Sequence, residues 1–129
     1  MNRLLIDTNI YSGALKGDAD IVRVLRRVSN LGITAISIGE LLSGFKAGNR
    51  ERENREEFAI FLDSPRVTLY GVDEETAEHY SAILNQLKTK GKPIPTNDIW
   101  IAAIAFQHGL PFYTLDNHFS HVEGLLLLK

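Results

Sequence analysis

The 129-residue sequence predicts a layered α/β fold built on a mainly parallel sheet, and three observations carry that prediction. Short apolar runs of strand type alternate with segments whose apolar residues recur at helical spacing, the order that parallel strands joined by crossover helices require. At roughly 100–200 residues per domain the length fits a single domain over residues 1–129. With 44% hydrophobic residues and no cysteine, the core has to come from packing, because disulfides and thiolate metal sites are ruled out.

The elements follow in order. Leu4, Leu5 and Ile6 form the first strand candidate, and Asp18 caps a helix whose apolar face is Ile21, Val22, Leu25 and Val28. Residues 33–36 are a second strand candidate rich in β-branched side chains. They run into Ser37-Ile38-Gly39-Glu40, which has the capping-box form, so the next helix is expected to start at Ser37. Gly44 and Gly48 weaken its continuation, and Phe58, Phe61 and Leu62 mark the buried face of another helix that Pro65 ends. Residues 67–70 predict a third strand. From Asp73 onward, Ala77, Tyr80, Leu84 and Leu87 define an amphipathic helix. A Gly91, Pro93, Pro95 loop leads to Thr96 as an N-cap, and residues 99–106 are apolar on every side until Gly109, which predicts a core helix with Trp100 in the core. Residues 112–115 and 124–128 are the last strand candidates.

Charge narrows the function. Sixteen acids against fourteen Lys and Arg give a formal net charge of −2, unlike the basic excess of a protein that coats nucleic acid. The first nine residues hold too short an apolar run for a signal peptide, no run is long enough to span a membrane, and a cytoplasmic location is expected.

Four acids stand out by position. Asp7 follows the first strand, Glu40 lies in the first turn of the helix after the second, Asp98 opens the apolar helix, and Asp116 follows the 112–115 strand. In a doubly wound α/β domain these positions share one edge of the sheet, where ligands bind. Each acid also has a local explanation: Glu40 completes a capping box, Asp98 suits a helix dipole, and Asp7 and Asp116 are turn formers. Local roles do not account for the group. Carboxylates about 4 Å apart repel by ~4 kcal/mol per pair at an effective dielectric of 20, so a cluster of four needs cations or raised pKa values. Oxygen donors without cysteine favour Mg²⁺ or Mn²⁺, and such a site suits metal-assisted hydrolysis of a phosphodiester. Setting the four acids aside leaves 12 acids against 14 bases, a remainder of +2.

Four blocks resemble a known family. Leu5-Ile6-Asp7-Thr8-Asn9-Ile10, Ile36-Ser37-Ile38-Gly39-Glu40-Leu41, Pro93-Ile94-Pro95-Thr96-Asn97-Asp98-Ile99-Trp100-Ile101-Ala102-Ala103 and Thr114-Leu115-Asp116-Asn117-His118-Phe119 resemble, in the family's order, the PIN domain and within it the VapC-type toxins of toxin–antitoxin pairs. The resemblance implies a PIN-like three-layer α/β/α sandwich with a central, mainly parallel twisted sheet of four to five strands. It also implies a Mg²⁺- or Mn²⁺-dependent endoribonuclease, usually a homodimer or part of a larger assembly, held inactive by a cognate antitoxin that covers the active-site groove. The acidic quartet maps onto Asp7, Glu40, Asp98 and Asp116, with Thr8, Asn9, Ser37, Asn97 and Thr114 as hydrogen-bonding supports. Because the cation activates water, products carrying a 5′-phosphate and a 3′-hydroxyl are expected.

Weaker readings stand beside it. Lys88, Lys90 and Lys92, and Arg23, Arg26 and Arg27, are candidate phosphate contacts or solvated helix faces. His118 and His121, spaced i, i+3, suggest a metal pair, but two histidines near a loop are more often surface residues. His108 suits a helix C-terminus, and the glycines at 39, 44 and 48 lack the Lys-Ser/Thr of a phosphate loop. A phosphatase with Asp7 as nucleophile competes, although such enzymes want a second Asp where Asn9 stands. So do a glycosidase and a non-catalytic PIN-like protein-binding module.

Overall fold

A computed structural model describes residues 2–128. Its sheet has four strands, β1 (Arg3–Ile6), β2 (Asn30–Thr34), β3 (Val67–Tyr70) and β4 (Phe112–Tyr113), all parallel and in the order β3-β2-β1-β4. Between them run α1 (Thr8–Leu15), α2 (Ala19–Arg26), α3 (Ala35–Ala47), α4 (Glu51–Asp63), α5 (Glu74–Lys90) and α6 (Thr96–His108), followed by a 3₁₀ turn, η1 (Asn117–His121). Among the described residues no helix is long and apolar enough to cross a membrane.

The period-two alternation of strands builds the three layers. Leu4 and Ile6 of β1 point into one apolar cluster with Ile10, Tyr11, Ile21, Leu41 and Phe58, from α1 to α4. Leu5 between them points to the other face, into a cluster with Leu87 of α5, Ile99, Ile101, Ala102, Ala103 and Ala105 of α6, Phe112 and Phe119. Phe112 and Tyr113 divide between the same two faces. Gly32 of β2 shows how tight the packing is: a Cβ there would lie 2.6 Å from the Tyr70 ring and 3.2 Å from Leu5.

The sheet order decides where a ligand binds. The chain lays down β1, β2 and β3 outward in one direction, then returns to add β4 on the opposite flank of β1. The order therefore reverses between β1 and β4, and the crevice beyond the carboxyl ends of those two strands is the expected binding place.

Several boundaries differ from the sequence reading. Helix α3 starts at Ala35, because the fully buried Thr34 is the N-cap and its hydroxyl oxygen accepts from the Ser37 backbone N–H at 3.0 Å. Glu40 consequently sits in the second helical turn and is not part of a capping box. The helix continues through Gly39 and Gly44 to Ala47. Thr96 is the first residue of α6, with Pro95 at the cap position, and the helix ends as expected at Gly109 in the left-handed conformation (φ 62°). Trp100 is half-buried and stacks on Tyr80 at the α5–α6 contact, with ring centroids 4.0 Å apart. The 112–115 strand shrinks to two residues, and 124–128 contributes a single bridge, Leu127 to Phe112. Helix α1, which the sequence reading passed over, begins directly at the end of β1 with Asp7 as its cap.

Candidate functional site

The site is assembled from four chain segments at the β1/β4 reversal. Asp7 is the residue at which β1 becomes α1. Its backbone N–H donates to the Tyr113 carbonyl at 3.1 Å, which ties it to the end of β4. Its carboxylate accepts from the Thr8 N–H at 2.9 Å and the Thr114 hydroxyl at 2.8 Å, and the residue is only 5% exposed. The same Thr114 oxygen accepts from the Asp116 N–H at 3.0 Å, so one hydroxyl joins two of the acids. Asn9 locks the loop beside them by accepting from the Leu115 N–H at 3.3 Å.

Asp98 arrives from the first turn of α6, whose start is fixed by the Asp98 N–H donating to the Pro95 carbonyl at 3.0 Å. Glu40 reaches in from α3 at the exposed rim, where Asn97 donates to its Oε2 at 3.5 Å. Asp116 caps η1 by accepting from the His118 N–H at 2.9 Å. A cleft of about 650 Å³ opens from Glu40 and Asn97 along the small residues Ala35, Gly39, Ser43 and Gly44 of α3.

The electrostatics identify these acids as one group. Burial raises the Asp7 pKa, the Thr114 and Thr8 hydrogen bonds work against it, and the Asp116 charge adds to the rise. Partial desolvation raises Glu40, with the charges of Asp7 and Asp98 adding to it. Asp98 is raised by desolvation and by Asp116 and Asp7, while His118 opposes the shift. No Lys or Arg among the described residues is in ion-pair contact with any of the four; the one basic neighbour is His118, with Nδ1 3.2 Å from both Asp98 Oδ2 and Asp116 Oδ1. Carboxylate oxygens, mutual repulsion and no fixed cationic partner form a donor set that fits a hard divalent cation.

The supporting residues separate by position. Thr114, Asn97 and the Thr8 backbone N–H touch the acids directly, and Asn9 holds their loop. Ser37 is fully buried and accepts from the Thr34 hydroxyl at 3.2 Å, bracing the start of α3. Helix α5 runs antiparallel to α6, since Thr76 near its start donates to Gln107 at the end of α6. Its last turn, with Lys88 and Lys90, and the following Lys92 therefore lie toward the Asp98 end. Lys90 is engaged with the His121 carbonyl at 3.2 Å and with Glu123 at 3.6 Å. The arginines of α2 do not join them. Arg23 pairs with Asp20 at 3.1 Å, and Arg66, just before β3, donates to the carbonyls of Leu25 and Val28 at 2.7 and 2.6 Å. Arg26 and Arg27 thus sit at the amino-terminal edge of the sheet, opposite the acids.

Sequence reasoning set His118 beside His121 as a metal-pair candidate and favoured a surface role for both, because two histidines near a loop are usually exposed. The structure brings His118, without His121, against Asp98 and Asp116. The usable signal was Phe119: an aromatic residue directly after Asp-Asn-His implies a buried anchor that fixes the turn.

Comparisons with known proteins identify the family and the fold. The PIN domain family model matches residues 4–125. Ribonuclease VapC1 of Haemophilus influenzae (strain R2866) is 36% identical over 106 residues, covering 78% of this chain and 77% of that protein. Ribonuclease VapC4 of Mycobacterium tuberculosis is 27% identical over 124 residues, covering 93% and 91%. Among solved structures, DNA-bound VapBC from Salmonella typhimurium superposes with a TM-score of 0.85 at 25% identity, over 99% of this chain and 98% of that one.

Proposed function

Because the chain belongs to the PIN-domain family and to its VapC-type members, we propose that it is a metal-dependent endoribonuclease, the toxin of a toxin–antitoxin pair neutralised by a cognate antitoxin. The observation that carries the reading is the group of Asp7, Glu40, Asp98 and Asp116 at the sheet's order reversal, mutually repelling and without a Lys or Arg partner. A bound Mg²⁺ or Mn²⁺ supplies Lewis acidity and a water of lowered pKa for in-line attack on a phosphodiester.

The protein's own groups do the rest. Asp7 and Asp98 are the principal ligands, because they are the more enclosed and converge from the sheet and from α6. Glu40 and Asp116 complete the ligand set directly or through water. Thr114 holds the Asp7 and Asp116 segments in register, and Asn97 orients Glu40. The cleft beside Glu40 gives a single-stranded or looped RNA access along α3 without having to enter the core. Outside the acids the chain is net positive by two, so filling the site with cations leaves a surface weakly attractive to RNA. The VapC-named relatives and the VapBC structure support the antitoxin partner. The working form is a homodimer, alone or within a larger toxin–antitoxin assembly in the cytoplasm, and the whole chain 1–129 acts as one domain.

Asp7 makes a poor nucleophile for a phosphatase, since it is buried and both its oxygens accept hydrogen bonds. The test is cleavage of a mixed RNA pool with Mn²⁺ or Mg²⁺, with EDTA, and by Asp7→Asn. Cuts leaving 5′-phosphate and 3′-hydroxyl ends, lost on chelation and reduced at least about a thousandfold in the variant, are expected. Cleavage that survives EDTA, or full activity in Asp7→Asn, rejects the reading.

A further inference from the structure

His118 does more than lie near the acids. The turn that carries it is fixed at both ends. Asp116 accepts its backbone N–H at 2.9 Å, and the next residue, Phe119, is fully buried and packed edge-on against Phe112 with ring centroids 4.7 Å apart. The imidazole is half-exposed to solvent, yet its Nδ1 points at two carboxylates from different elements, 3.2 Å from Asp98 Oδ2 and 3.2 Å from Asp116 Oδ1. One ligand atom from each of Asp98, Asp116 and His118 lies within 4.8 Å of the others. Donors 3.2 Å apart suit neighbouring coordination positions on a single ion with bonds of about 2.0–2.3 Å to nitrogen and oxygen.

We propose that His118 is a nitrogen ligand of the cation held by Asp98 and Asp116, and that it biases the site toward Mn²⁺ over Mg²⁺. The chemical reason is donor preference. Mg²⁺ takes oxygen almost exclusively and gives up its waters reluctantly, whereas imidazole nitrogen suits the first-row transition ions, so replacing one oxygen donor by imidazole costs Mg²⁺ more than Mn²⁺. The Asp116 cap supports the assignment, because the bond that holds the backbone of His118 comes from the carboxylate that shares the ion. The inference rests on the metal-nuclease reading above and specifies which donors the ion meets.

The experiment is binding and electron-spin-echo spectroscopy of Mn²⁺ on the whole protein, with no substrate present, in the native chain and in His118→Ala and His118→Asn. Nitrogen-14 coupling to Mn²⁺ is expected in the native protein and absent in both variants. Mn²⁺ affinity is expected to fall on the order of 10-fold or more, with a much smaller change for Mg²⁺ measured by competition. Bound Mn²⁺ without nitrogen coupling in the native protein overturns the His118 assignment and leaves the carboxylate site standing. Equal weakening of Mn²⁺ and Mg²⁺ in the variants overturns the selectivity. A native chain that binds Mg²⁺ but no Mn²⁺ overturns the His118 assignment and its selectivity, and one that binds neither ion sinks the metal-nuclease reading with them.

Discussion

Two aspartates cap helices at opposite ends of α6, and their carboxyl groups are driven in opposite directions. Asp73 caps α5 beside the last turn of α6. It accepts from the Thr76 N–H at 3.1 Å and from Gln107 Nε2 at 2.9 Å, and these donors, the Thr76 N–H foremost, hold its pKa below the usual carboxylate value. Asp7 caps α1 beside the first turn of α6 and also accepts two hydrogen bonds, yet its pKa is raised, because burial outweighs them and Asp116 adds like charge. The same residue in the same local role ends up satisfied at one end and frustrated at the other. Capping is thus a complete account of Asp73 and an incomplete one of Asp7, whose remaining charge is matched only by something the chain does not supply.

The largest test of this contrast is to supply a divalent cation. Divalent metal should raise the melting temperature of the native protein; at a hundredfold excess over Kd the stabilisation is about 2.7 kcal/mol. Asp7→Asn and Asp98→Asn should lose most of that response, and Asp73→Ala, at the far end of α6, should keep it. Differential scanning measurements with and without Mn²⁺ decide the matter, and an undiminished response in Asp7→Asn would break the comparison.

A smaller effect appears without metal. Since the folded pKa of Asp7 lies above its ordinary 3.8, the folded state holds that proton more tightly, and ionisation above the raised pKa costs stability. Asp7→Asn removes the cost. The metal-free variant should be more stable than the native chain at neutral pH by on the order of 1 kcal/mol, a few degrees in melting temperature. That advantage should disappear as the pH falls below about 4. Asp73 behaves in the opposite sense: its contribution is present above its unfolded pKa and is lost as pH falls through the depressed folded value. Asp73→Ala should therefore melt below the native protein at neutral pH, with the gap closing in acid. Melting curves from pH 3 to 7 read both differences, and matching trends in the two variants would contradict the assignment.

How much of this was legible beforehand depends on whether the signal was local. The alternation of strands and helices, the apolar stretch of α6 and the four acids each stand in the sequence within a few residues, and their convergence follows from the rule for strand ends. What escaped was set by contacts distant in sequence. Helix α1 reads poorly because it contains Gly13, Ile10 and Tyr11; the end of the Ile21 side chain of α2 packs close against Gly13, and no window around residue 13 reveals that. The cap of α3 went to Thr34 instead of Ser37 because the strand delivers Thr34 with its hydroxyl aimed at the Ser37 amide. His118 depends on a buried Phe119 and on an aspartate twenty residues earlier.

The smallest predicted effects separate the basic residues near the two ends. Lys88, in the last turn of α5, and Lys92, just beyond it, lie on the side of Asp98, whereas Arg26 and Arg27 stand at the end of α2 at the opposite edge of the sheet, where Arg66 clasps the neighbouring carbonyls. RNA lying along the acid edge meets the first pair and not the second. Lys88→Ala and Lys92→Ala should each weaken RNA binding only a few-fold, and a lost phosphate contact should make the dependence of log affinity on log salt shallower by about 0.7 for a single strand. Arg26→Ala with Arg27→Ala should leave both affinity and slope unchanged. A filter-binding salt series on a cleavage-inactive Asp98→Asn background measures the two sets side by side. If the arginine variant carries the larger slope change, the RNA runs across the other edge, and the cleft along α3 is not its path.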